Sequence, residues 1–374
     1  MALCAGSLAA LLAIWLGYPL AVWVVAAMVR RPVRPNFEQA RLRPVSAVLA
    51  TRESAQAIRA RIDNLFDTDH PRDLLEIIVA LDASGENVSA AQFADLAPRV
   101  RAVVGDAAGG KAATLNAGVR AASHEVLVFA DTAQRFDRQT IPTLAACLED
   151  SRFGAISGAL KLGANATGAS PVHWYWTMEK ALRSNEASIH SAIGVTGAVY
   201  ATRRSIWPVV PEQTLLDDLY VPMALALRGH RVGFTYLAHA VDTRAFDAAA
   251  EGVRKTRTLT GVLQLLRLLP DVLSTRNPVL PQFVFHKLAR LATPLISAIV
   301  VISGASVATV LAIRWPLQVL APSGALLVLA LVVPQSRRPL IALVKWSLSM
   351  QSAVLTALKN AARGRWSVWN DGKR

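Results

Sequence analysis

Two hydrophobic patterns divide this chain. At both ends the apolar positions run on without interruption. Residues 1–29 contain no charged side chain. The part from 8 to 29 alone, as a helix, reaches roughly 33 Å, enough to cross a hydrocarbon layer. Near the other end, 291–313 is again free of charge, and 315–334 carries Gln318 as its notable polar side chain. Between the ends the pattern changes to short apolar runs separated by amphipathic stretches. Runs at 45–51, 74–81, 100–104 and 126–130 predict buried strands, and the stretches between them predict helices, as at 55–66 and 112–122. Strands alternating with helices at this spacing give an α/β fold with a mostly parallel sheet and right-handed crossovers.

The second half of the middle region is less regular. Further strands are predicted at 155–162, 199–202 and 233–241, and helices at 172–185, 215–227 and 251–269. Trp174, Tyr175 and Trp176 on the 172–185 helix read as core aromatics. In 283–291, His286, Lys287 and Arg290 interleave with apolar residues, as in a helix lying at a bilayer surface. In 340–363, Lys345, Ser349, Ser352, Thr356, Lys359 and Arg363 recur at alternating spacings of four and three, one polar stripe on an apolar helix. That pattern favours an interfacial helix over another span.

Composition sharpens the membrane reading. Of 374 residues 53% are hydrophobic and 18% charged, with a net charge of +14. No arginine-rich tract with interleaved aromatics and no zinc-finger spacing is present, so nucleic acid is not the partner the charge indicates. The basic residues flank the apolar segments: Arg30, Arg31, Arg34, Arg41 and Arg43 follow the first, and Arg290 with Arg337 and Arg338 bracket the C-terminal pair. This places the middle region in the cytoplasm and the C-terminal pair as an out-and-back hairpin. A secretory signal would carry its positive charge in front, so the first segment reads as an uncleaved anchor. The two cysteines, Cys4 and Cys147, show no metal-ligand spacing and no disulfide framework.

The candidate chemistry lies at strand ends. Glu53, Asp82 and Asp131 each follow a predicted strand, and parallel strands deliver such positions to one sheet edge, where open α/β sheets bind ligands. Gly109 and Gly110 precede Lys111 at the start of a small-residue helix. Free backbone N–H groups and a lysine point charge there suit a diphosphate, although an ordinary loop–helix–strand unit with a surface lysine has the same pattern. Asp217 and Asp218 open a later helix, where acids are favoured electrostatically with or without a function. Arg254, Lys255, Arg257 and Arg267 line a basic helix that suits a solvated face, a lipid-facing surface or a phosphate clamp.

Taken in order, these motifs resemble those of the family-two inverting glycosyltransferases, and within them the membrane-bound cellulose synthase and hyaluronan synthase branch. The likeness runs from about residue 45 to 261. Ala50-Thr51-Arg52-Glu53 resembles the first-strand donor motif, and Leu81-Asp82-Ala83-Ser84 the uridine-contacting acid. Gly109-Gly110-Lys111-Ala112 followed by Leu115-Asn116-Ala117-Gly118 is similar to the nucleotide-side signature and is the most specific match. Asp131 matches the first acid of the DxD motif. Thr196-Gly197 resembles the acceptor-site turn, and Asp218 lies where the family keeps its catalytic base. Arg254-Lys255-Thr256-Arg257-Thr258 aligns with the segment usually written QxxRW. Three positions depart: Ala133 replaces the second acid, Arg254 the Gln and Thr258 the Trp.

The resemblance implies a GT-A-type, Rossmann-like fold and transfer from a UDP-sugar to a lipid or glycan acceptor. It assigns Thr51, Glu53, Asp82, Lys111 and Asp131 to the donor nucleotide, and Arg254 and Arg257 to its diphosphate. Thr196 and Gly197 fall to the acceptor, and Asp218 with its neighbour Asp217 to base catalysis. A divalent cation, magnesium or manganese, would rest on Asp131, water and the diphosphate, with Gln134 near enough to assist. The expected organisation is an anchor at 1–30, a cytoplasmic GT-A domain at 44–245 and basic and interfacial helices at 246–290. A transmembrane hairpin at 291–335 and an amphipathic or transmembrane helix with a basic tail at 339–374 complete a multi-pass protein of the cytoplasmic (inner) membrane. An oligomer or export partner is compatible with this plan. Lost motif positions leave one competing reading, a non-catalytic nucleotide-sugar-binding or scaffold subunit of an envelope-polysaccharide assembly.

Overall fold

A computed structural model describes residues 1–29, 31–85, 88–106, 109–162, 171–242, 248–314 and 334–366. One sheet organises it, with the strand order β3-β2-β1-β4-β7-β6-β8-β5. The strands are β1 (Val45–Thr51), β2 (Leu75–Leu81), β3 (Val100–Val104), β4 (Val126–Ala130), β5 (Gln134–Phe136), β6 (Phe153–Leu162), β7 (Val199–Arg203) and β8 (Arg231–Asp242). β1 runs parallel to β2 and β4, β2 to β3, and β6 to β8, while β7 is antiparallel to β4 and β6 and β5 is antiparallel to β8. The architecture is the α/β, mostly parallel, GT-A-type arrangement that the motif order implies.

β1, β2 and β4 read as unbroken apolar runs because both of their faces are covered. Val48, Ile78, Leu127 and Phe129 face one core with Leu115 and Val119 of the helix that follows β3. Ala47, Ile77, Val79 and Val128 face the other, with Ile58, Ile62 and Leu144. The second core is supplied by α2 (Ala55–Phe66) and α4 (Thr140–Leu148). α3 (Gly110–Ala121) lies so close to the sheet that a Cβ on Gly118 would stand 2.7 Å from Val48 Cγ1. This contact explains the run of small residues along that helix. Ser54 caps α2 by accepting from Ala57 N at 3.3 Å, as its position just ahead of the helix predicts.

Among the described residues two helices are long and apolar enough to cross a membrane, Ala2–Val29 (α1) and Thr293–Arg314. α1 is continuous past Pro19, with a π-turn at Ala13–Gly17 immediately before it. The second half of α1 packs on α5 (Pro171–Ile189), and its first half packs on Thr293–Arg314. α6 (Asp217–Leu227) and α7 (Ala248–Leu268) follow α5 in the chain, and α8 is Thr293–Arg314. The second hairpin leg, 315–334, lies outside the described residues up to 333. α9 (Pro334–Ala362) packs along α7 through Ala353, Val354 and Ala357, leaving Lys345, Ser349, Ser352, Thr356 and Lys359 exposed.

Two readings of side-chain environment change. Trp174 is 59% exposed rather than in the core. In the 280–291 segment, His286 and Arg290 are buried rather than spread on a surface. His286 presents Nε2 to Glu179 and Nδ1 to Glu186, both at 2.9 Å, and Arg290 also pairs with Glu179. Tyr18 of α1 donates to Glu186 at 2.6 Å. Basic residues of one segment thus meet acids of another, so their interleaving with apolar positions encodes a buried ionic joint and not an amphipathic surface.

Candidate active site

The site forms where β1, β2 and β4 end side by side. Thr51 closes β1, and its Oγ1 accepts from Glu53 N at 3.0 Å and from Thr132 Oγ1 at 2.7 Å, tying the ends of β1 and β4 together. Glu53 itself is exposed, beyond the contacts of the central cluster. After β2, Asp82 Oδ1 accepts from Ser84 N at 3.0 Å, Ser84 Oγ at 2.9 Å and Gly110 N at 2.9 Å. Burial raises the proton affinity of Asp82, but these hydrogen bonds outweigh it and hold the carboxyl below its ordinary range. Gly109 and Gly110 have φ of 65° and 83°. A Cβ on Gly109 would stand 3.3 Å from Asp82 Oδ1, so the glycine permits both the left-handed turn and the close approach.

That turn delivers Lys111. Its Nζ lies 3.2 Å from Asp131 Oδ1 and 3.8 Å from Asp217 Oδ2. β7 runs antiparallel to β4, so the turn preceding β7 falls at the same edge. A Cβ on Gly197 would be 3.4 Å from Asp218 Cβ, 3.7 Å from Lys111 Nζ and 3.9 Å from Asp218 Oδ2. Val195 N donates to Asp218 O at 2.9 Å, fixing the start of α6 against this turn. Lys111, Asp131, Asp217, Asp218 and Gly197, spread over more than a hundred residues of sequence, therefore share one cluster, with Asp82 joined to it through Gly110.

The electrostatics of the cluster are unequal. Asp218 is pushed up to about 6, chiefly by burial and then by Asp217, against the lowering pull of Lys111, Arg257 and Arg183. Burial pulls the Lys111 ammonium down, but Asp131, Asp217 and Asp218 outweigh it and hold the proton above the ordinary lysine range. Arg257 on α7 is lowered by burial, while Asp218, Asp217 and Asp131 oppose that shift, so its charge is felt across the cluster. Arg254 is exposed and lies near enough to Arg257 to disfavour its charge. Thr196 serves the backbone: its N donates to Ser157 Oγ at 2.9 Å, and its Oγ1 donates to Gly158 O at 2.9 Å.

Three side chains went unnoticed in the sequence. Arg61 is buried beneath the site, with Nε donating to Asp131 O at 3.0 Å and its guanidinium 4.2 Å from the Phe136 ring. Tyr200 is buried with its hydroxyl unpartnered among the described residues. Burial, then Asp217, Asp218 and Asp131, hold that hydroxyl neutral well above the ordinary range. Arg183 on α5 lies 3.4 Å from Thr196 Oγ1 and adds positive charge on the far side of Asp218. An arginine on a helix and a tyrosine in a strand carry no local motif, and only long-range packing brings them here.

Among the described residues no group of three or more His, Cys, Asp or Glu side chains is arranged to hold a metal ion. Asp131, one-third exposed and ending β4, is the carboxylate that fits one. Gln134 is buried in β5 and donates from Nε2 to Asp242 at 3.1 Å, while its Oε1 has no partner among the described residues. A cation here would draw on Asp131, donor phosphates and water, a set magnesium or manganese accepts.

Comparison with known proteins agrees with this geometry. Residues 46–207 match the model of glycosyl transferase family 2. A mannosyltransferase from Pyrobaculum calidifontis, solved with GDP-Man and Mn2+, superposes with a TM-score of 0.69 at 21% identity, covering 96% of this chain and 99% of that one. A glucosyl-3-phosphoglycerate synthase from Mycobacterium tuberculosis, solved with Mn2+, UDP and glucosyl-3-phosphoglycerate, aligns at a TM-score of 0.43 and 18% identity over 62% of this chain and 82% of that one. No curated protein matches the sequence. Sheet order, site position and family match define an enzyme of the glycosyltransferase class with a GT-A fold. The stretch that matches the family model runs from β1 to just beyond β7 and includes Asp82, Lys111 and Asp131.

Proposed function

We propose that the protein is a membrane-bound inverting glycosyltransferase that moves a sugar from a UDP-sugar to a glycan or lipid acceptor. One observation carries the reading. Asp218, a carboxylate with raised proton affinity, stands across Gly197 from Lys111, which pairs with the strand-end acid Asp131. A base and a diphosphate-binding cation on opposite sides of a small gap are what inversion requires. Asp218 takes the acceptor hydroxyl's proton as the oxygen attacks the anomeric carbon. Lys111 and Arg257 stabilise charge on the departing diphosphate. Asp82, kept ionised by three donors, is an acceptor for the nucleoside, and Thr51 and Glu53 border it. A divalent cation bound at Asp131 would supply further positive charge to the leaving group. The apolar α1 and α8 would hold the domain at the inner face of the cytoplasmic membrane, and the cellulose synthase-like order of motifs supports that placement.

The test uses full-length protein in detergent with a panel of UDP-sugars and GDP-mannose, each with and without Mn2+ or Mg2+. Transfer is expected from one donor, lost on chelation and restored by the metal. Asp218→Asn should lower turnover by about 10²–10⁴-fold with UDP affinity nearly unchanged. Full activity of that variant would remove the base assignment, and UDP binding without turnover of any donor would favour the scaffold reading.

A further inference from the structure

The wall between the sheet domain and the membrane helices carries cations that its own acids do not match. Arg183 reaches Thr196 Oγ1 at 3.4 Å, beside the turn that faces Asp218. Lys180 lies three residues before it on α5, and Lys287 comes from the 280–291 segment. Burial lowers the proton affinity of both lysines. Arg183 and Lys161 push Lys180 further down. For Lys287, Arg290 and Arg183 act the same way against the pull of Glu179 and Glu186. Those two acids are already engaged, Glu179 by His286 and Arg290, Glu186 by His286 and Tyr18. Lys161 Nζ meets His239 Nε2 at 3.0 Å, and His239 is itself paired with Asp137 at 2.8 Å.

Exposed apolar surface adjoins these cations. The register between β6 and β8 breaks after Ser157. On the β8 side, Tyr236 and Leu237 are 51% and 60% exposed. Burial pushes the Tyr236 hydroxyl up, while Ser184 and Arg183 favour its charged form. Among the described residues Lys180, Arg183 and Lys287 close no ion pair, and half-buried cations so placed are costly unless a ligand brings the counter-charge. Apolar side chains beside them suit a ligand that also has a hydrocarbon part.

We infer that this wall binds the acceptor, and that the acceptor is an anionic lipid whose headgroup carries a phosphate and a free hydroxyl. The inference rests on the transferase reading above and names its acceptor class. The phosphate lies among Lys180, Arg183 and Lys287, the tail runs over Tyr236 and Leu237 toward the membrane helices, and the hydroxyl reaches Asp218. In the reaction the hydroxyl oxygen bonds to the anomeric carbon and its proton passes to Asp218. The bond from that carbon to the diphosphate breaks, and its electron pair leaves with the nucleoside diphosphate. The lipid phosphate is unchanged.

The experiment titrates full-length protein in a neutral detergent with dioleoyl phosphatidylglycerol, dioleoyl phosphatidylcholine and glycerol 3-phosphate, read by native mass spectrometry, with UDP affinity measured in parallel. Phosphatidylglycerol should bind at least about tenfold tighter than phosphatidylcholine. Lys180→Gln with Lys287→Gln should remove most of that preference, while Lys359→Gln on exposed α9 leaves it intact. Equal affinity for the two lipids, or a double variant that binds like the wild type, overturns the inference even where UDP still binds. Glycerol 3-phosphate competing as well as the lipid overturns the lipid half and points to a soluble phosphorylated acceptor. Loss of UDP binding by the wild type would instead sink the transferase reading on which the acceptor role depends.

Discussion

Asp218 combines two properties that seldom coincide: it is ionised at neutral pH, and it is a better base than a surface aspartate. Burial and Asp217 raise its folded pKa to about 6, whereas an unfolded aspartate titrates near about 3.9. The native state therefore binds more protons than the unfolded state between those values, and stability falls as pH rises through that window. Above about 6 the penalty is complete, on the order of 2–3 kcal/mol. Asp218→Asn should melt higher than the wild type at pH 8, with the gap closing as pH drops toward 4; scanning calorimetry across that range checks it. Transfer by the wild type should rise through pH 6, because only the ionised carboxylate accepts the proton. Lys111 is one of the groups holding Asp218 down. Lys111→Met should move the rising limb to higher pH and cost about 100-fold or more in turnover through the lost diphosphate contact, both visible in one pH–rate profile. An unchanged limb would mean that Lys111 and Asp218 do not share a field.

At the scale of elements, the sheet domain and the apolar helix α1 are joined by a buried cluster of charged side chains. Glu179 and Glu186 are seven residues apart on α5, so they fall on one helix face. That face meets His286 and Arg290 of the 280–291 segment and Tyr18 of α1. Burial raises the proton affinity of Glu179, but His286 and Arg290 outweigh it and keep the carboxylate ionised. Breaking such a buried group costs far more than a surface pair because the remaining charges have no solvent. His286→Ala should lower stability by about 3–5 kcal/mol, read as a fall in Tm of the detergent-solubilised protein. A change below about 1 kcal/mol, typical of a solvated pair, would show that the joint is open to water. The same helix carries Arg183, whose Nη1 donates to Thr196 Oγ1 at 3.4 Å.

For the whole molecule, charge and hydrophobicity act together. On the proposed reading, the basic residues after α1 and the exposed apolar surfaces of α1 and α8 would set the sheet domain against one membrane face. Protease added to inverted inner-membrane vesicles should cleave the sheet domain, while the same protease outside intact spheroplasts should leave it whole. Digestion from the outer side would reverse the proposed topology. The wall bearing Lys180, Arg183 and Lys287 faces the same helices, so a donor arriving from the water and an acceptor arriving from the bilayer would meet at Asp218 from different directions.

Local chemistry was enough to read the strands β1 to β4, the capped helix α2, the glycine turn before Lys111 and the two apolar helices. Each is fixed by residues within a few positions of one another: two-sided burial demands unbroken apolar runs, a positive φ demands glycine, and a bilayer demands length without charge. The sequence also carried Asp82, Asp131 and Asp218 as separate candidates, because strand ends and helix starts are legible one at a time. β5, with three residues, is too short to leave a pattern. The ionic joint was hidden because one chain segment gives only half of each pair, so His286 and Arg290 looked like surface charges until Glu179 and Glu186 were packed against them. Likewise, nothing near Arg183 or Tyr200 in the chain signals a site. Whether an acid becomes a base, and whether a cation faces water or a ligand, depends on what other parts of the chain exclude around it, and only the tertiary structure decides that.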